Sequence, residues 1–235
     1  MKVSVKEWNS PSLGKKVKVH VYGTSGTPLL FFNSVCDETG ADKEFLKALE
    51  YQITNGLNLV YTIQKPDYKT IFDKSVSAKS RLIHYLHIEG FVIDELIPKI
   101  KKESSNDFVM IAGIGDGAYL ASNMMLRHPS HFNKCISICG VYDMRPDFDG
   151  SVLEDFYYNN PVEYLPNLTD EYYLNEIRNT DMRLISHNDD ENFGQTELLS
   201  KYLYNKDISH ILDVWGNEEP IGQSTFQKMF AKHIP

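Results

Sequence analysis

Cysteine is scarce: three residues in a chain of 235, an odd number that does not make a disulfide framework. Cys135 and Cys139 stand four apart in an apolar run that reads as a strand, so both are expected on one buried face, as core thiols rather than metal ligands. No apolar run approaches the roughly 20 residues of a membrane span. The opening Met1-Lys-Val-Ser-Val-Lys-Glu7 lacks the apolar h-region of a secretory leader, and a cytoplasmic location is the expectation. Positive charge is also short, with 24 Lys and Arg against 32 Asp and Glu and a formal net charge of -8. The dense basic patches, Lys15-Lys16-Val17-Lys18 and Lys99 to Lys102, read as solvated ends of elements. Without a basic stripe to neutralise phosphates, the composition argues against a general nucleic-acid binder. Internal repeats and low-complexity linkers are absent, which predicts one domain over 1–235 with a sizeable core.

What is present is an alternation of strand-like and helix-like segments. Val3 to Trp8 and Lys16 to Tyr22 alternate at period two about a Ser-Pro-Ser-Leu-Gly break and predict an antiparallel hairpin. Strands follow at Pro28 to Phe32, Leu57 to Ile63, Phe108 to Gly113, Lys134 to Gly140, Met182 to Ser186 and Ile208 to Trp215. Between them the pattern predicts helices over Asp42 to Ile53, Asp116 to Arg127, Gln195 to Tyr204 and Gln223 to His233. A long helix over Ser75 to Lys102 is expected to be interrupted near Gly90 and closed by Pro98. Residues 141–180, rich in Asp, Asn, Tyr and Pro, break the alternation and read as an irregular, cap-like insert. The whole predicts an α/β protein whose mostly parallel central sheet carries helices on both faces behind an N-terminal antiparallel hairpin, the α/β-hydrolase plan.

The sharpest signal is Gly113-Ile-Gly-Asp-Gly117, set between an apolar strand and a helix. That is the setting of a G-x-S-x-G nucleophile elbow, with Gly115 where the serine belongs. Gly113-Ile-Gly-Asp-Gly-Ala-Tyr-Leu-Ala121 looks like G-H-S-x-G-G-Y-x-A. Leu126-Arg-His-Pro129 with Phe132, Gly140-Val-Tyr-Asp143, Asn160-Pro-Val-Glu-Tyr-Leu-Pro166 and Leu212-Asp-Val-Trp215 follow in matching order. On these motifs the chain resembles, nearly end to end, the small bacterial esterase family of the α/β-hydrolase superfamily. The resemblance implies carboxylic-ester hydrolysis by a Ser-Asp-His triad and no cofactor. Carried over by position, the nucleophile falls on Gly115 and the histidine near Ile221, within a stretch from Trp215 to Ala231 that holds no histidine. The acid survives as Asp189 or Asp190. A triad reduced to one member implies a homologue that has lost its chemistry and binds a small-molecule ligand or a protein partner.

Other groups in the sequence are candidate replacements. Asp116 lies one residue past the elbow tip, where it reads as a helix N-terminal acid stabilised by the dipole. A carboxylate there would oppose a developing oxyanion. Cys36, in the loop after the third strand, has Asp37 and Glu38 beside it, which work against a thiolate. Ser34 and Val35 belong to the same loop, which supplies half of an oxyanion hole in this fold. Together with Cys36, Gly115, Asp116, Asp143, Asp189 and Asp190 they make the candidate pocket. His187 precedes the acid rather than following it, His210 reads as a packing residue, and His84 and His87 share a helix face without further metal ligands. The acids Asp116, Asp189, Asp190, Glu191, Glu218 and Glu219 all map beyond strand C-termini, the edge where open α/β sheets bind ligands. Tyr157, Tyr158, Tyr164, Tyr172 and Tyr173 of the insert line a ligand cleft, form a docking surface for a partner, or simply pack the cap. Two rival readings remain: an active hydrolase with an unorthodox nucleophile or a metal, and an interaction protein that docks through the tyrosines.

Overall fold

The computed structural model describes residues 1–34, 46–64, 68–147, 154–216 and 218–234. Among the described residues eight strands form one sheet in the order β1-β2-β4-β3-β5-β6-β7-β8. They are β1 Val3–Ser10, β2 Lys15–Tyr22, β3 Thr27–Phe32, β4 Asn58–Ile63, β5 Met110–Ile114, β6 Lys134–Ile138, β7 Asp181–His187 and β8 His210–Trp215. β1 pairs antiparallel with β2, and β2 antiparallel with β4. From β4 to β8 every pairing is parallel. The leading hairpin and the mostly parallel sheet therefore stand as the sequence predicts.

The α-helices among the described residues are α1 Glu50–Thr54, α2 Ala78–Gly90, α3 Ile97–Ser104, α4 Asp116–Arg127, α5 Glu154–Tyr157, α6 Pro161–Asn167, α7 Glu171–Arg178, α8 Phe193–Asn205 and α9 Gln223–His233. They cover both faces because the parallel strands are apolar on both sides. Leu30 and Phe32 of β3 pack with α2, α3, α4 and α8, whereas Leu29 and Phe31 pack with Ile53 of α1 and Met229 and Phe230 of α9. The Phe31 and Phe230 rings lie 5.5 Å apart.

Three local expectations are corrected. Pro98 does not close a helix. The chain passes from α2 through a π-helical stretch, Phe91–Leu96, into α3 with Pro98 in its first turn, so the helix runs through the proline at a local change of helical spacing. Cys135 and Cys139 do not share a face: Cys135 packs with α4, but Cys139 belongs to the opposite cluster with Ile136 and Ile138. The reason is a left-handed residue just past the end of β6, Cys139 at φ 49, which breaks the period-two alternation. The insert is also more regular than its composition implies. Pro161 starts α6, and the Asp170 side chain caps α7 by accepting from the Tyr173 N–H. The expected helix over Asp42 to Ile53 lies partly outside the described residues. Its described part is a 3₁₀ turn at Lys47–Leu49 followed by α1.

Candidate active site

The parallel register brings the ends of β5, β6, β7 and β8 to one edge: Ile114 lies beside Ile138, Ile138 beside Ile185, and His187 beside Trp215. The turn from β5 into α4 occupies this edge. Gly115 sits at φ 56 and ψ -118, outside the regions open to most L-residues. Its N–H donates to Ile138 O at 2.9 Å, and its carbonyl accepts from the N–H groups of Ala118 and Tyr119 at 3.0 and 3.3 Å.

The flanking glycines explain why the turn is so tight. A β-carbon at Gly113 would lie 2.0 Å from Gly117 O, and one at Gly117 would lie 2.2 Å from Phe32 O at the end of β3. Neither position has room for a side chain. At Gly115 itself a β-carbon would meet Ser34 Oγ at 3.4 Å and nothing closer. The elbow thus keeps its shape, and its central residue faces Ser34 without carrying a side-chain atom.

Ser34 is held by the strand end that precedes it. Its N–H donates to Asn33 Oδ1 at 2.9 Å, and the Tyr68 hydroxyl donates to Asn33 O at 3.1 Å. Val35 and Cys36 lie outside the described residues. Asp116 opens α4 as its first-turn acid. Asp143 follows β6 and accepts from the guanidinium of Arg145 at 2.8 Å to Oδ1 and 2.5 Å to Oδ2. Burial pushes its carboxyl up, but the Arg145 bonds more than offset this and hold it below the usual value. Gln195 Oε1 accepts from the N–H groups of both Tyr142 and Asp143 at 2.8 Å. Gln195 comes from α8, and no local sequence signal points to it.

Beyond β7 the two candidate acids differ. Asp190 closes a turn: its N–H donates to His187 O at 2.9 Å, and its carboxylate accepts from Ser186 Oγ at 3.0 Å and from the Asn192 N–H at 3.1 Å. Asp189 instead points outward, its side chain 60% exposed. Between these turns and the segment after β8 stands His187, whose ring is fully buried. Its Nδ1 accepts from the Asp189 N–H at 3.0 Å, so the ring proton sits on Nε2, which donates to Glu219 O at 2.7 Å and faces Gly216 O at 3.2 Å. Both nitrogens are occupied by backbone. Ile221, at the expected histidine position, is 42% exposed.

Three further groups, Cys139, His210 and His233, have partners of their own within the fold. Burial and the nearby Asp190 carboxylate push the Cys139 thiol up to about 12, which makes it a poor nucleophile. His233 sits at the far end of α9, where Nε2 is 2.7 Å from Asp213 Oδ2. That carboxylate also accepts from Trp215 Nε1 at 3.0 Å and from Lys232 Nζ, so His233 is tied into an ion cluster against β8. His210 bonds Ser200 Oγ and Ile208 O. Among the described residues no group of three or more His, Cys, Asp and Glu is placed to hold a metal, and no helix is long and apolar enough to cross a membrane. Of the insert tyrosines, Tyr157, Tyr158, Tyr164 and Tyr173 line a cleft with Arg127, whereas Tyr172 is 77% exposed.

No family model matches the chain, and no curated protein matches it by sequence. Solved structures do. A ferulic acid esterase superposes with a TM-score of 0.75 at 15% identity, over 99% of this chain and 95% of its own. An S-formylglutathione hydrolase from Agrobacterium tumefaciens gives 0.72 at 10% identity, over 98% and 92%. The corresponding enzyme from Staphylococcus aureus gives 0.69 at 14% identity, over 99% and 94%. With the sheet order and the elbow turn described above, these likenesses establish that the chain has the α/β-hydrolase fold of the esterases.

Proposed function

We propose that the protein is an esterase-like α/β-hydrolase homologue that has lost its nucleophile and its catalytic histidine, and that it binds a ligand or partner instead of turning over an ester. The observation that carries this reading is Gly115 at φ 56 and ψ -118, an elbow of the right shape with no side-chain atom at its tip. Acyl transfer in this fold needs an Oγ at that tip, an imidazole to take its proton and a carboxylate to orient the imidazole. Among the described residues the site offers only the last, as Asp189 or Asp190. The imidazole nearest in sequence, His187, has both nitrogens in backbone hydrogen bonds. Preorganised N–H donors without a nucleophile leave a residual acceleration of about 10³–10⁴ over water.

The neighbours' own names are those of esterases and hydrolases, which favours a second reading, ester hydrolysis by an unorthodox nucleophile. The two separate in one assay: release of p-nitrophenol from p-nitrophenyl acetate by the purified chain, beside Asp116→Asn and Cys36→Ala variants. The proposal expects no enzyme-like turnover in any of the three. A clear rate in the parent protein that disappears in one variant would overturn it and name the nucleophile.

A further inference from the structure

The insert and the far end of α4 together form a cleft of about 540 Å³, within the range of small-ligand sites. α4 starts at the elbow and ends at Arg127, so its 12 residues place the cleft about 18 Å from Gly115 along the helix axis. The lining is unusual for this molecule in its density of tyrosine: Tyr157, Tyr158, Tyr164 and Tyr173, joined by Thr169 and Asp170.

The polar groups of the lining fall into two sets. One set is already committed within the protein. Arg127 donates through Nε and Nη2 to the Glu89 carboxylate at 2.8 and 3.1 Å, and through Nη1 to Tyr158 O at 2.6 Å. The Tyr164 hydroxyl donates to Asn123 Oδ1 at 3.2 Å, and that of Tyr173 to the carbonyls of Leu126 and Arg127. These bonds fix two rings and cancel the charge of the arginine. The other set is uncommitted: among the described residues the hydroxyls of Tyr157, Tyr158 and Thr169 and the Oδ2 of Asp170 make no hydrogen bond. The Tyr157 and Tyr158 rings are held edge to face with centroids 5.1 Å apart, and Tyr158 is half-exposed.

This combination discriminates among ligand classes. An anion would meet the Asp170 carboxylate, and the only cation in the lining is already paired with Glu89. A cation would satisfy Asp170 Oδ2 and lie over the rings, but it brings no acceptor for the three free hydroxyls. A purely apolar ligand would strip water from three hydroxyls and a carboxylate oxygen without replacing those bonds. A neutral molecule with a C–H face and a rim of hydroxyls satisfies all of them. Its face covers tyrosine ring, and its hydroxyls donate to Asp170 Oδ2 and exchange bonds with the three free hydroxyls. We infer that the Tyr157–Tyr173 cleft is a binding site for a neutral saccharide, separate from the elbow. It holds whether or not the elbow is catalytic.

The test is titration of the isotopically labelled full chain with cellobiose and with maltose, followed by amide chemical shifts. Tetramethylammonium and 4-hydroxybenzoate serve as cationic and anionic probes. The expected result is saturable shifts confined to residues 154–178 and 123–128 with at least one of the disaccharides, in the millimolar range. Tyr158→Ala removes an exposed ring and one free hydroxyl and should weaken binding by about tenfold, the equivalent of about 1.4 kcal/mol. Tyr51→Ala, an exposed tyrosine on α1, should leave it unchanged. If Tyr158→Ala perturbs the fold, Asp170→Asn, which keeps an oxygen for the helix cap, should still weaken binding severalfold. No saturable shift with either disaccharide, equal binding in the two cleft variants, or shifts at the cleft with the ionic probes alone would overturn the assignment.

Discussion

Replacing Gly115 by serine puts a G-x-S-x-G serine at the tip of the elbow, and its effect on stability follows from the geometry. The added β-carbon would stand 3.4 Å from Ser34 Oγ and 3.6 Å from Ser34 Cβ, ordinary contact distances, so crowding contributes little. The backbone is the problem. At φ 56 and ψ -118 a non-glycine residue is strained by about 1–3 kcal/mol. Part of this is offset, because removing a glycine narrows the unfolded ensemble by about 0.4–1 kcal/mol. The balance is a loss of about 1 kcal/mol, or about 2–4 °C in Tm for a domain of this length. Urea and thermal unfolding of the two proteins measure it directly. A midpoint unchanged or raised in Gly115→Ser would refute the claim that this turn is a strained elbow. The same variant should cleave p-nitrophenyl acetate no faster than the parent, because a serine without an imidazole partner remains a neutral alcohol.

Other consequences are sharper still. Gly113→Ala places a methyl 2.0 Å from Gly117 O and should lower stability by about 4 kcal/mol or more; a loss below about 1 kcal/mol in urea titration would contradict the close packing of the turn. At Asp213, burial pushes the carboxyl up, but Lys232, His233 and the Trp215 N–H outweigh it and hold it at about 2. Its folded value lies below the unfolded one, near 3.9. The stabilisation is therefore complete above about pH 4 and lost as pH falls through about 2. Asp213→Asn should cost about 1–2 kcal/mol at pH 7 after allowance for solvent screening, and the gap from the parent should close near pH 2; an equal gap at both pH values would exclude this ion cluster as its source. Burial pushes the thiols of Cys135 and Cys139 up to about 12, so neither should react with Ellman's reagent at pH 8 until the chain unfolds; rapid modification of either in the native state would show that β6 is not enclosed.

The signals that were legible in the sequence are those written into consecutive residues, and those that were not depend on contacts between distant ones. The bounds of α4 and α9 could be read directly, because each follows a glycine, Gly115 and Gly222, that departs from helical geometry. The elbow could be read because Gly113 and Gly117 are demanded by backbone approaching within van der Waals distance, and an absence of serine between them is visible without coordinates. By contrast, the face of Cys139 turned on one left-handed residue that no pattern of hydrophobicity encodes, and the insert's helices depend on Pro161 and the Asp170 cap within a stretch too polar to show a periodicity. His187 is the instructive case. In sequence it looks like a base out of order, one residue past Ser186 and before both acids. In the fold it reaches across 32 positions to Glu219, joining the turn after β7 to the segment after β8. A Ser-Asp-His triad on this fold takes its acid and its histidine from those two segments, and its imidazole must be free to exchange a proton with the nucleophile. Here the imidazole between them is buried and bonded to backbone at both nitrogens, so the same residue type in the same neighbourhood holds the edge of the sheet closed. A histidine near an active-site edge becomes a base only if one of its nitrogens is left for the substrate, and that condition lies in the tertiary hydrogen bonds, beyond the reach of spacing or order.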